Sequence, residues 1–142
     1  MLTTILLAVA LLPTPLADYA GACLAGHPEM GPALHRIALR ESRGRWVSIH
    51  QRDARWSAIA RDKALFRGWL SPLCPFTRQR EGWASRGRHA QFAAYSLRFL
   101  GGLCLPPEIL DVPVFSAIAA ARRMGSRACD LHPRCVSWRG NQ

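Results

Sequence analysis

Apolar residues open the chain and then recur at helical rather than strand spacing. Residues 5–12 are an unbroken apolar run, ended by Pro13 and Pro15. The Ala-rich stretch 16–26 reads as a helix closing at Gly26, with His27-Pro28 starting afresh. In residues 30–42, Met30, Leu34, Ile37 and Ala38 form an i, i+4, i+7, i+8 stripe, which predicts a helix ending at Arg43-Gly44. Phe92, Tyr95, Phe99 and Leu100 predict another over 89–100, stopped by Gly101-Gly102. The last strong helix is expected from Asp111 as N-cap, with Pro113 in its first turn and Gly125 at its end. Its apolar face would be Val114, Phe115, Ile118 and Ala121. Between these lie Trp46, Trp56, Trp69 and Trp83, many Arg, and the breakers Gly68, Pro72, Pro75 and Gly82. They predict a short helix within 54–69 and a long irregular stretch after it. No segment sustains period-2 alternation, so the expectation is mainly α, with any sheet small and confined to 44–85.

Length and composition narrow this to one domain with a real core: 142 residues, 49% of them hydrophobic, exclude a disordered tail or low-complexity scaffold. The 19 Lys and Arg exceed the 9 Asp and Glu by 10, and Lys63 is the single Lys. A net charge of +10 predicts affinity for anions: nucleic acid, lipid headgroups or an acidic wall polymer. The Arg residues are scattered, and no zinc-finger spacing, basic zipper or RNA-recognition motif is present, which argues against nucleic acid.

The N-terminal run has the length of a secretory h-region and is too short to span a bilayer. Residues 1–17 are therefore expected to be a signal peptide and the protein to be periplasmic or extracellular. No Lys or Arg precedes the run, and candidate cleavage points fall after Ala17, Ala20 or Ala22. The alternative is a buried N-terminal helix that stays on the mature protein. Ala20-Gly21-Ala22-Cys23 lacks the Leu of a lipobox, leaving attachment at Cys23 open. In an oxidising compartment, four of Cys23, Cys74, Cys104, Cys129 and Cys135 can form two bridges and leave one thiol. Cys129 and Cys135 are the most local pair. With His132 they supply only three neighbouring metal ligands, so a disulfide is preferred; no metal or cofactor is implied. The expected divisions are 1–17 signal, 18–128 domain, and 129–142 a C-terminal tail with a possible disulfide loop.

One carboxylate breaks two local rules. Glu41 lies four residues after Ile37 and seven after Leu34, on the apolar stripe, and in a last turn whose negative end disfavours an anion. Both effects are expected to raise its pKa and suit it to protonating a leaving oxygen. The structural alternative is a boundary Glu paired with Arg36, Arg40 or Arg45. No G-x-S-x-G nucleophile elbow accompanies His27, His35, His50, His89 or His132, so a serine hydrolase is disfavoured.

Ile37-Ala38-Leu39-Arg40-Glu41-Ser42 resembles the first motif of soluble lytic transglycosylases and goose-type lysozymes, an apolar helix ending in Glu-Ser. The segment Ser85-Arg86-Gly87-Arg88-His89-Ala90-Gln91-Phe92-Ala93 resembles their second motif, Ser-x-x-Gly-x-x-Gly-Leu-Met-Gln. Ala90 replaces its second Gly, and Ala93 stands where the Gln belongs. Pro113-Val114-Phe115-Ser116-Ala117-Ile118 resembles a third feature, with Ser116 in place of Asn. The resemblance implies a small lysozyme-like domain, α+β at most, that cleaves the β-1,4 bond between N-acetylmuramic acid and N-acetylglucosamine in peptidoglycan glycan strands. It makes Glu41 the catalytic acid, and Ser42, Ser85, Gly87, Tyr95 and Ser116 substrate-binding. Hydrolytic relatives add a water-positioning acid, for which Asp53 is the first candidate. Ser42 can equally cap the helix end, Tyr95 can be core, and Trp46 and Trp83 can stack on sugars or pack inside. The degraded second motif fits a non-catalytic wall-binding descendant of the same fold.

Overall fold

The computed structural model describes residues 1–45, 54–68, 71–78, 86–89, 96–100 and 103–140. Seven α-helices are present among them: α1 (Leu2–Ala10), α2 (Thr14–Leu24), α3 (Gly31–Ser42), α4 (Ala54–Phe66), α5 (Pro113–Met124), α6 (Arg127–Asp130) and α7 (Pro133–Gly140). Short 3₁₀ turns occupy Pro28–Met30, Pro75–Arg78, Ser96–Leu100 and Pro107–Asp111. The described residues are mainly helical and contain no strand, and no helix among them is long and apolar enough to cross a membrane.

The architecture is organised around α5. Pro113 presets its first φ, and Ala117, Ala119, Ala120 and Ala121 line it with side chains small enough to bury on nearly every face. One face joins Leu34 and Ile37 of α3, Met30, Ala22 of α2, and the Cys129–Cys135 region in the larger core. On the other side, Phe115, Ile118 and Ala119 meet Phe99, Leu100, Leu110 and Cys74. Helix α2 crosses α5 most intimately. A β-carbon at Gly21 would collide with Ala117 Cβ and reach 3.0 Å from the Ile118 nitrogen, so only Gly permits this approach. By contrast α1 is a largely exposed apolar helix, with Leu2, Ile5 and Leu7 all facing out.

The expected helices over 30–42 and within 54–69 are present as α3 and α4. Arg43, at φ 57°, and Gly44, at φ 75°, end α3 in the left-handed region, and the Gly44 N–H turns back to the Ala38 carbonyl at 3.1 Å. Two expectations need correction. Val112, not Asp111, precedes α5; Asp111 ends a 3₁₀ turn, and its carboxylate accepts from Arg86 Nε at 2.7 Å. Of the helix expected over 89–100, the described part is His89 in a turn and a 3₁₀ segment at Ser96–Leu100, with Phe99 and Leu100 buried as anticipated. The C-terminal stretch carries the expected local disulfide on two short helices. Helices α6 and α7 bury Cys129 and Cys135 completely, and Trp138 packs on the same core beneath the Arg40 guanidinium, 5.8 Å from its ring centre.

Two disulfides, Cys74–Cys104 and Cys129–Cys135, leave Cys23 as an exposed thiol. This realises the expected two bridges and odd cysteine. Both sulfurs beside His132 are therefore committed, and its Nδ1 instead accepts the Cys135 N–H in the first turn of α7.

Candidate functional site

Glu41 sits in the last turn of α3, half-buried, where the stripe of Leu34, Ile37 and Ala38 runs out toward the surface. Four residues separate it from Ile37, a little more than one turn, which swings it to the edge of the buried face. Neighbouring Ser42 is buried and donates its hydroxyl to the Ala38 carbonyl at 2.9 Å. That bond closes the helix end, the structural use of this side chain.

The described parts of the three motif segments meet at His89. His89 is completely buried; its Nε2 lies 3.2 Å from the Leu34 carbonyl of α3, and its Nδ1 lies 2.8 Å from Ser116 Oγ of α5. The same Oγ accepts the His89 backbone N–H at 3.3 Å. Gly87, at φ 89°, passes so close to the Pro107–Asp111 turn and to α5 that a β-carbon would strike the Leu110 carbonyl oxygen of the first and approach Ser116 Oγ of the second. Ser42, Gly87 and Ser116, expected to bind substrate, are all buried and engaged inside the protein by packing or hydrogen bonds. Asp53, Ser85 and Tyr95, with Trp46 and Trp83, lie outside the described residues.

Sequence reasoning missed a fully buried carboxylate. Asp18 of α2 has no exposed surface, and its Oδ2 accepts from Arg88 Nη1 at 2.9 Å; Arg88 is itself only 1% exposed. The same guanidinium nitrogen donates to the Thr14 carbonyl at 2.8 Å. His35 Nδ1 stands 3.4 Å from Oδ2, and His89 Nε2 stands 3.1 Å from Oδ1. Because the aligned partner of Nε2 is the Leu34 carbonyl, its contact with Oδ1 is chiefly electrostatic. Burial pushes the Asp18 carboxyl up, but its contacts with His89 and Arg88 outweigh it and hold the group below its ordinary value.

Asp18, His89 and Ser116 thereby form an acid–imidazole–hydroxyl chain. It has no nucleophile: Ser116 is 2% exposed, and its oxygen is occupied by two His89 nitrogens, so no acyl carbon can reach it. Its work is to fasten α2, α3, α5 and the 86–89 turn together. One sequence signal marks its acid, though not its partners: Asp18 is the only Asp, Glu, Lys or Arg in the first 28 residues, placed one after Ala17 and four before Ala22.

A cavity of about 630 Å³ lies elsewhere, between α1 and α5, lined mainly by Leu7, Val9, Leu24, Val114, Phe115 and Ile118. Among the described residues no group of three or more His, Cys, Asp or Glu is placed to hold a metal ion. Fold and chemistry together define a small, basic, disulfide-bonded helical protein. Comparisons with protein families, curated proteins and solved structures returned no match to this chain.

Proposed function

We propose that this protein is exported and acts on cell-wall glycan, with Glu41 as the general acid and base of a lytic transglycosylase or muramidase. Exit to an oxidising compartment is supported by the two disulfides. The observation that carries the catalytic reading is Glu41 itself. It is a half-buried carboxyl at the C-terminal end of the core helix α3, whose Leu34 carbonyl is joined through His89 to Ser116. This tie, about two turns before Glu41, holds the first half of α3 against α5 and so fixes the helix from which the acid projects. In this reading the Glu41 carboxyl gives its proton to the glycosidic oxygen as the bond to the muramyl carbon breaks. The resulting carboxylate then takes a proton from the muramyl 6-hydroxyl as it closes a 1,6-anhydro ring, or from an attacking water. The +10 charge favours encounter with a polymer bearing lactyl and peptide carboxylates.

A second reading, a wall-binding protein without catalysis, is favoured by the inward use of Ser42, Gly87 and Ser116. Turbidity clearance of purified sacculi separates the two. Wild type clears them and Glu41→Gln does not if the acid is catalytic. Sedimentation of wild type with sacculi that it fails to clear identifies the binder.

A further inference from the structure

The apolar leader and the folded body meet at a boundary that the chain's own buried charges define. The break between α1 and α2 falls at residues 11–13, and α2 begins at Thr14. All three cleavage points suggested by small residues, after Ala17, Ala20 and Ala22, lie inside α2. Ala17 and Ala22 have no exposed surface.

Each cut would do specific damage. Cleavage after Ala17 removes the Thr14 carbonyl that holds Arg88 Nη1 and the first turn of α2. It also creates an α-ammonium on Asp18, a residue with no exposure to water. Cleavage after Ala20 or Ala22 deletes Asp18 altogether. Arg88 and His89, 1% and 0% exposed, would then keep their buried positions without the carboxylate beside them. Cleavage after Ala22 would remove Gly21 as well, the residue that admits α2 against α5. Loss of α1 does none of this: its Leu2, Ile5 and Leu7 face outward, and what it covers is one side of the cavity over Val114, Phe115 and Ile118.

We infer that the mature protein keeps residue 14 onward, because Thr14 and Asp18 anchor Arg88, and that any proteolytic removal of the leader takes place ahead of Thr14. The inference is independent of the catalytic reading of Glu41; it would hold equally for a wall-binding protein.

Two measurements on the full chain test it. The first is the intact mass of protein exported by a secreting host. It is expected to correspond to a start at or before Thr14. A folded, disulfide-bonded product starting at Asp18, Gly21 or Cys23 overturns the inference. The second needs no processing: amide hydrogen exchange on the full-length chain, α2 against α1. Amides of residues 18–24 are expected to be protected as strongly as those of α5, while those of residues 2–10 exchange at least a hundredfold faster. Equal and weak protection in α1 and α2 would mean that the body does not begin at Thr14, and the inference fails even if no cleavage occurs.

Discussion

Gly21→Ala tests the α2–α5 crossing through two opposed effects of known size. In a helix interior the exchange alone favours Ala by about 0.8–1.0 kcal/mol. Here, however, the added β-carbon would overlap Ala117 Cβ and lie 3.0 and 3.1 Å from the Ile118 nitrogen and the Ala117 carbonyl carbon. Two of these three atoms are backbone, so no rotamer change relieves the contact, and the helices must part. Parting loosens the surrounding packing of Ala17, Ala22, Ala120 and Ala121, all without exposed surface. Overpacking of this kind costs about 1–3 kcal/mol, and a collision with backbone belongs in the upper half of that range. The net expectation is a loss of about 1–2 kcal/mol, or roughly 3–8 °C in Tm for a chain this long. Thermal unfolding followed by circular dichroism, with the disulfides intact, measures it. A Tm that rises, as helix propensity alone demands, would refute the close crossing.

Further expectations concern the buried network and the crosslinks. Asp18→Asn leaves Arg88 buried without its anion and should cost about 3–5 kcal/mol at pH 7 in urea unfolding; an unchanged midpoint would remove the ion pair from the account. Since the folded-state pKa of Asp18 is depressed, its stabilising effect is present above the unfolded value near 3.9 and fades as pH falls through the folded one. The wild-type urea midpoint should therefore decline below about pH 4, and that part of the decline should vanish in Asp18→Asn. Ser116→Ala strips His89 of the hydroxyl that meets its backbone N–H and its Nδ1. A loss of about 1–3 kcal/mol is expected, read by the same titration, and a neutral effect would contradict the bonding described. Loop length makes the Cys74–Cys104 bridge, separation 30, worth more than Cys129–Cys135, separation 6. Paired Cys→Ser variants should lose roughly 3.5 and 2 kcal/mol respectively, and a reversed order would show that loop entropy does not govern here.

Local signals carried a good part of the fold. The stripe of Leu34, Ile37 and Ala38 with Arg43-Gly44 after it located α3, and Pro113 with Gly125 bracketed α5, because both rest on spacing and punctuation within a few turns. Asp111 misled because two features competed for it: a good N-cap residue one position too early, and Arg86, 25 residues away, which takes the carboxylate. The buried network was out of reach for the same reason. Arg88 and Asp18 are 70 residues apart, and nothing in either segment names the other. The principle that singled out Glu41, an acid on an apolar stripe, applies with greater force to Asp18. Glu41 stands at the end of its stripe and emerges half-buried, whereas Asp18 lies within the buried face of α2. The hydroxyls of Ser42 and Ser116 show the converse limit. Position in a motif suggested contact with substrate, but helix geometry directs one to the Ala38 carbonyl and the other to His89.

Mass spectrometry of the soluble fragments released from purified sacculi decides whether position 41 does chemistry. With wild type, muropeptides should appear, lighter by one water where the 6-hydroxyl closes the ring and of full mass where water attacks. Glu41→Gln, close in shape and unable to give up a proton, should lower their release by about 10²–10⁴-fold while still sedimenting with the sacculi. Equal release by the two proteins, or none by wild type, would contradict a catalytic Glu41.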